Sequence, residues 1–324
     1  MQRYIWPTLI AALAALAVAG LMFGSVPVSL ASVWRALVEG DASTDGVIVR
    51  LIRAPRVVLA ILVGAGLAMS GTALQGVLRN ALADPYLLGV SGGAAVGAVL
   101  AVALGVLAPP LIALAGFAGA IGAVAAVLAV ARLARAAADV RVLVLAGLLV
   151  GAFANALVMV TLVTAPADAV RGALWWMMGS LGSASWRDVW WTAPLILPAA
   201  GLLIHWGRQI DVLALGDDAA ASLGVNADRA ARRIFLAASL LAAATVVAAG
   251  LVGFVGLIVP NLVRRPAGGR HRPTLAAAGL AGATLLLIAD LVARTIRAPL
   301  EIPLGAVTAL MGVPFFFARM RSPT

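Results

Sequence analysis

The segment "DVLALGDDAAASLGVNADRAARR", residues 211–233, gathers Asp211, Asp217, Asp218, Asp228, Arg229, Arg232 and Arg233 into an otherwise apolar stretch of chain. Gly216 precedes the paired aspartates, so Asp217 and Asp218 fall in the first turn of a helix, where the macrodipole favours negative charge. The run Ala219, Ala220, Ser222 and Leu223 continues it, and Gly224 is placed to end it as a C′ glycine. Asn226 then caps a second helix carrying Asp228. The first helix, 217–223, is shorter than the ~12–15 residues an isolated helix needs for marginal stability, so it must pack on something. A solvated loop is the alternative reading.

Other ionisable groups stand at the ends of apolar runs. Arg53 and Arg56 flank Pro55, and Arg294 and Arg297 precede Pro299. At span ends such guanidiniums commonly snorkel to lipid headgroups. Asp290 is a carboxylate inside an apolar run, expensive unless paired. Arg294, four residues on, puts a cation one helical turn away. Arg171 stands close to Trp175 and Trp176 and suits either an interfacial anchor or a contact for an anionic substrate.

The missing residue types are as informative. With no cysteine there is no disulfide, thiolate metal site or cysteine nucleophile. The two histidines, His205 and His271, both fall at ends assigned below to the cytoplasm, so no metal site is expected within the membrane. No paired carboxylates fall inside the apolar runs, and an enzymatic role is not expected. All 23 basic side chains are arginine. The phosphate-cradling loop G-x-x-x-x-G-K-[ST] needs its lysine, so if ATP powers this protein, another polypeptide binds it together with its Mg²⁺.

These groups are positioned by an all-α membrane protein. Hydrophobic residues make up 63% of the 324, charged residues only 11%, and mean hydropathy is +1.08; a soluble domain carries about 25% charged residues. A span needs ~20 apolar residues, and the charge-poor stretches supply about ten: 4–23, 57–78, 87–107, 110–131, 142–164, 189–206, 233–250, 253–264, 274–293 and 303–318. Residues 1–24 have signal-peptide features, but their apolar run exceeds the usual h-region and reads as a retained first span. The segment "APADAVRGALWWMMGSLGSASW" is too short and turn-rich to cross, and reads as an external helix at the interface. The stretch between the first two spans reads as a solvated loop.

With the N-terminus and C-terminus in the cytoplasm, outside loops receive Arg35, Arg50, Arg53, Arg56, Arg171, Arg294 and Arg297, and Arg187 lies near a span end. The other fifteen fall inside, in keeping with the positive-inside rule. The net charge of +10 therefore reports orientation rather than nucleic-acid binding. Spans 2–5 (57–164) and 7–10 (233–318) have opposite topology, the arrangement of inverted repeats in many transporters. Small residues pervade the spans, as in "GVSGGAAVGAVLA", "GFAGAIGA" and "GLAGA", and let helices approach closely.

Four separated motifs, in order from Arg53 to Arg321, carry a resemblance: "RAPRVVLAILVGAGLAMSGTALQGVLRNALADPYLLGVSGGAAVGAVLA", "LALGDDAAASLGVN", "GFVGLIVPNLVRR" and "LLLIADLVARTIRAPLEIPLGAVTALMGVPFFFARMR". Together they closely resemble the membrane subunits of bacterial ABC importers for iron–siderophore complexes, haem and vitamin B12. The chain departs from that pattern at Ala81 (usually Pro), at Asn261 (usually His) and at Pro266 and Arg270.

The resemblance implies one permease domain over 1–324 with the type II importer fold, in the bacterial inner membrane. It implies a homodimer around a central pathway, two cytoplasmic ATPase subunits and one periplasmic binding protein. Residues 211–229 then become the segment that couples to the ATPase. Arg53, Arg56, Arg294 and Arg297 become docking residues for the binding protein; Asn80 and Leu82, with Asp139, become an inner gate, and Arg171 part of the pathway. Haem is placed first among the substrates, then a ferric siderophore, then vitamin B12. An ion-coupled secondary carrier is the rival from another class, with Asp290 its single intramembrane ionisable group.

Overall fold

A computed structural model describes residues 2–134 and 140–321. Among them there is no β-strand, and fifteen α-helices follow in order. The first, α1 (Gln2–Met22), leads through the short α2 (Leu30–Trp34) and α3 (Thr44–Val47) into α4 (Ala54–Val77). Next come α5 (Val90–Ala103), α6 (Pro109–Leu133), α7 (Val140–Thr164), α8 (Ala167–Met178) and α9 (Trp186–His205). The rest are α10 (Gly207–Ala214), α11 (Asp217–Ser222), α12 (Ala227–Ala249), α13 (Val255–Val263), α14 (His271–Thr295) and α15 (Leu304–Arg321).

Each of the ten expected spans coincides with a helix, but their lengths are unequal. Six are long and apolar enough to cross a bilayer, and α9 with α10 makes a seventh if that pair, bent by 52°, is one span. At 1.5 Å per residue, the 14 residues of α5 and the 9 of α13 fall well short of a ~30 Å hydrocarbon core. The chain between α1 and α4 is also more structured than a solvated loop. Its α2, α3 and π-helical turns close a small apolar cluster of Val28, Val33, Ala36 and Val49.

Local sequence explains the boundaries. Pro55 sits in the first turn of α4, where its missing N–H costs nothing. Ser185 and Asp188 form a reciprocal capping box at the start of α9. The Asn226 carboxamide oxygen accepts from the Arg229 amide at 2.9 Å, starting α12 six residues earlier than the apolar run suggested. In the turn-rich segment after α7, α8 runs from Ala167 to Met178 and is capped by Gly179.

Helix α4 is the hub. It packs against α14, α12, α13, α9 and α1 and is apolar on every side, as a buried helix must be. Glycines set the closest crossings: a Cβ at Gly64 would overlap the Gly282 carbonyl of α14, and one at Gly93 of α5 would overlap the Gly119 carbonyl of α6. In a bilayer such contacts are driven by packing rather than by expulsion of water. The small-residue stretches of the sequence are therefore helix seams.

Candidate functional site

Contacts divide the candidate residues between two ends of the bundle. At the α8 end, Arg56 is the centre of a buried ion network. Its Nε donates to Asp290 Oδ1 at 2.8 Å, and its Nη1 and Nη2 donate to the two Glu301 oxygens at 2.6 and 3.0 Å. Asp290 Oδ2 faces Arg294 Nε at 3.2 Å, and Arg294 Nη2 donates to the Gly20 carbonyl at 2.9 Å. Arg53 closes the ends of α1: Nη1 donates to Leu21 O at 2.8 Å and Met22 O at 2.7 Å, and Nη2 donates to Val26 O. The Leu21 and Met22 carbonyls are among the orphan acceptors of the α1 C-terminus.

The expectation that Arg53, Arg56 and Arg294 dock a partner is therefore corrected. All three are buried, at 5%, 5% and 4% exposure, and the hydrogen-bond and ion-pair partners they have lie inside the chain. Burying a guanidinium is tolerable only when it is paired and hydrogen-bonded, and here the partners are internal. Arg297 alone of the four is exposed. The Asp290–Arg294 pairing expected from their i,i+4 spacing is present, while Glu301, which completes the network, was not singled out from the sequence.

Two adjoining cavities of about 480 and 620 Å³ open at the same end, between the starts of α6 and α9 and the end of α12, with α8 over the first. Trp175, Trp176, Arg187 and Asp188 line the first; Trp190 and Trp191 line the second. Arg171 is exposed and lines neither. Arg187, read in sequence only as a span-end residue, lines both.

The opposite end holds α10 and α11. As expected, Gly216 precedes α11, Asp217 and Asp218 occupy its first turn, and Gly224 follows in a left-handed conformation (φ +75°). The helix is six residues rather than seven, with Leu223 as its C-cap. Only Ala220 is buried among its residues; Asp217, Asp218, Ser222 and Gly224 are exposed and Ala219 half-buried. Leu215 and Leu223, on either side, are 70% and 60% exposed. Asp211 anchors the preceding α10: its Oδ1 accepts from the His271 amide at 2.8 Å and lies 2.7 Å from His271 Nδ1.

The turn after α4 lies beside this segment. The Arg79 Nε donates to Leu213 O at 2.8 Å, and its Nη2 pairs with the Asp217 carboxylate. Asn80 Oδ1 accepts from the Leu82 amide at 2.9 Å, leaving the Leu82 side chain 53% exposed. Asn261 Nδ2 donates to Ala81 O at 3.2 Å, so the residue that departs from the family pattern still reaches the turn. Asp84 caps the next turn by accepting from the Tyr86 amide at 2.8 Å, and burial raises its pKa to about 6. Asp139 lies outside the described residues. No group of three or more His, Asp or Glu that could hold a metal ion occurs among the described residues.

Comparison with known proteins gives the family and the fold. The model of the FecCD transport family matches residues 12–322. The hemin transport system permease protein HmuU of Yersinia pestis is 40% identical over 268 residues, covering 82% of this chain and 80% of that one. The cobalamin import system permease protein BtuC of Halobacterium salinarum is 40% identical over 286 residues, covering 87% and 75%. The Fe(3+) dicitrate transport system permease protein FecD of Escherichia coli is 38% identical over 319 residues, covering 96% of each. Among solved structures, a metal-chelate type ABC transporter in an inward-facing conformation superposes with a TM-score of 0.88 at 28% identity, covering 99% of both chains.

Proposed function

Because the chain belongs to the FecCD transport family of ABC importer permeases, we propose that it carries haem from periplasm to cytoplasm across the bacterial inner membrane. It works as a homodimer with two ATPase subunits and one binding protein, and both its termini are cytoplasmic. ATP and Mg²⁺ are held by the ATPase, and this chain holds no cofactor. The whole chain is one permease domain, with residues 57–164 and 233–318 as inverted repeats.

The observation that carries the reading is α11. A helix this short needs outside support, yet it buries only Ala220 within the chain and is flanked by two exposed leucines. The missing contacts suit a cleft on an ATPase. Gly216, Asp217, Asp218, Ala219, Ala220, Ser222, Leu223 and Gly224 form this coupling segment. Asn80 and Leu82, with Asp139, form the inner gate, and Arg171 stands at the outer mouth. Haem is preferred because a haem permease is among the relatives most similar to this chain. A ferric siderophore or vitamin B12 is the second reading, supported by relatives of comparable identity. An ion-coupled carrier is disfavoured because Asp290, its only candidate carrier group, is held between two arginines.

The test is uptake by proteoliposomes containing the assembled complex and binding protein loaded with each candidate. Haem-dependent stimulation of ATP hydrolysis and uptake supports the proposal. Uptake driven by an ion gradient without the ATPase would refute it, and stimulation by another chelate alone would move the substrate.

A further inference from the structure

We infer that Arg79 is the positioning residue that carries movement of the ATPase-facing helix α11 to the gate turn at Asn80 and Leu82. The inference rests on the importer reading above and names the side chain through which that site is worked. Arg79 is one of two non-glycine residues described with positive φ (+49°), a conformation seldom adopted unless the surroundings enforce it. That backbone turn swings the chain off the end of α4, and the Asn80 amide returns to the Gln75 carbonyl at 3.2 Å.

The guanidinium meanwhile points the other way. Its Nε holds the Leu213 carbonyl of α10 at 2.8 Å, and its Nη2 holds Asp217, the first residue of α11. One residue thus has its backbone in the gate turn and its side chain on both helices of the coupling segment. The far side of the turn is tied separately, by Asn261 to Ala81 O at 3.2 Å. The turn is therefore bracketed between α13 and α11, and Arg79 is its link to the latter.

The pair is not a stability device. The Arg79 and Asp217 side chains are 42% and 74% exposed, and exposed ion pairs add little to folding. What the contact supplies is direction: a planar fork fixes two acceptors at once, so displacement of α11 relative to α10 must either drag the turn or break the bond to Asp217.

The test exploits the absence of cysteine. Leu82→Cys places one thiol in the turn, and its maleimide labelling rate is read in the full complex without nucleotide and in the ATP-trapped state. The expected change between states is at least about fivefold, a usual size for coupling between two sites. With Arg79→Gln that change should shrink below about twofold, and uptake should fall further than ATP hydrolysis. Asp217→Asn, on the exposed helix, should act in the same direction, and Arg79→Lys, which keeps the charge but loses the fork, should be intermediate. The inference is overturned if labelling of the otherwise unaltered chain ignores nucleotide, if Arg79→Gln leaves the change intact, or if hydrolysis and uptake fall in parallel. Failure of uptake for every substrate, with the labelling pattern as expected, would count against the substrate and not against Arg79.

Discussion

Arg56 and Asp290, 234 positions apart in sequence, meet at 2.8 Å in the interior, and Asp290 is only 1% exposed. This contact joins α4 to α14 at the end where Glu301 and Arg294 complete the network. Asp290 therefore serves the fold, and the arginines around it are not available to a partner.

Removing one member of a buried ion pair leaves the other uncompensated, at a cost of about 3–5 kcal/mol. Asp290→Ala strands both Arg56 and Arg294 and is expected to lower the melting temperature of the detergent-solubilised chain sharply. Asp290→Asn, which keeps an acceptor for Arg56 Nε, should lower it less. Equal and small effects would show that the network does not hold the two helices.

Arg297 stands apart from that network. Arg297→Glu should leave stability within about 0.5 kcal/mol, as for most surface changes, and weaken binding-protein association, most clearly at low salt where steering is unscreened. Arg56→Glu should instead destabilise the chain before any docking effect can be measured. Docking that is indifferent to Arg297 would leave the binding-protein contact to other residues.

Ala220 is fully buried, and its amide donates to the Gly216 carbonyl at 3.0 Å, the first hydrogen bond of α11. Ala220→Pro removes that donor and clashes with the preceding turn. The complex should still hydrolyse ATP but lose uptake, with the spans folded as judged by circular dichroism. Retained uptake would rule out α11 as the coupling element.

Asp84 tests the turn between α4 and α5 by pH. Its folded pKa, about 6, lies above the ordinary 3.8, so the fold favours the neutral acid. That contribution is fully present below about pH 4 and is lost as pH rises through about 6. Asp84→Asn keeps an acceptor for the Tyr86 amide, so it should raise the melting temperature near neutral pH and change little near pH 4. An unchanged pH slope in the variant would contradict the buried placement.

Most of the helices were readable because lipid demands long apolar runs, and the α11 boundaries because Gly216, Gly224 and Asn226 each have one dominant local use. The short α5 and α13 were harder, since an apolar run does not say how much of itself is helical. Side-chain roles at the α8 end were read worst. Positive residues beside Pro55 and Pro299 look alike in sequence, and only the return of α14 and Glu301 to α4 decides which are buried. Arg79 went unremarked for a related reason: a positive φ at a non-glycine residue leaves no mark on composition or spacing.

The central claim is that this chain moves substrate only under the control of a separate ATPase. The most direct measurement is uptake in proteoliposomes carrying the permease with and without its ATPase, with haem-loaded binding protein outside and ATP inside. The account predicts uptake only with ATPase and ATP both present. Uptake by the permease alone under a proton or sodium gradient would contradict it.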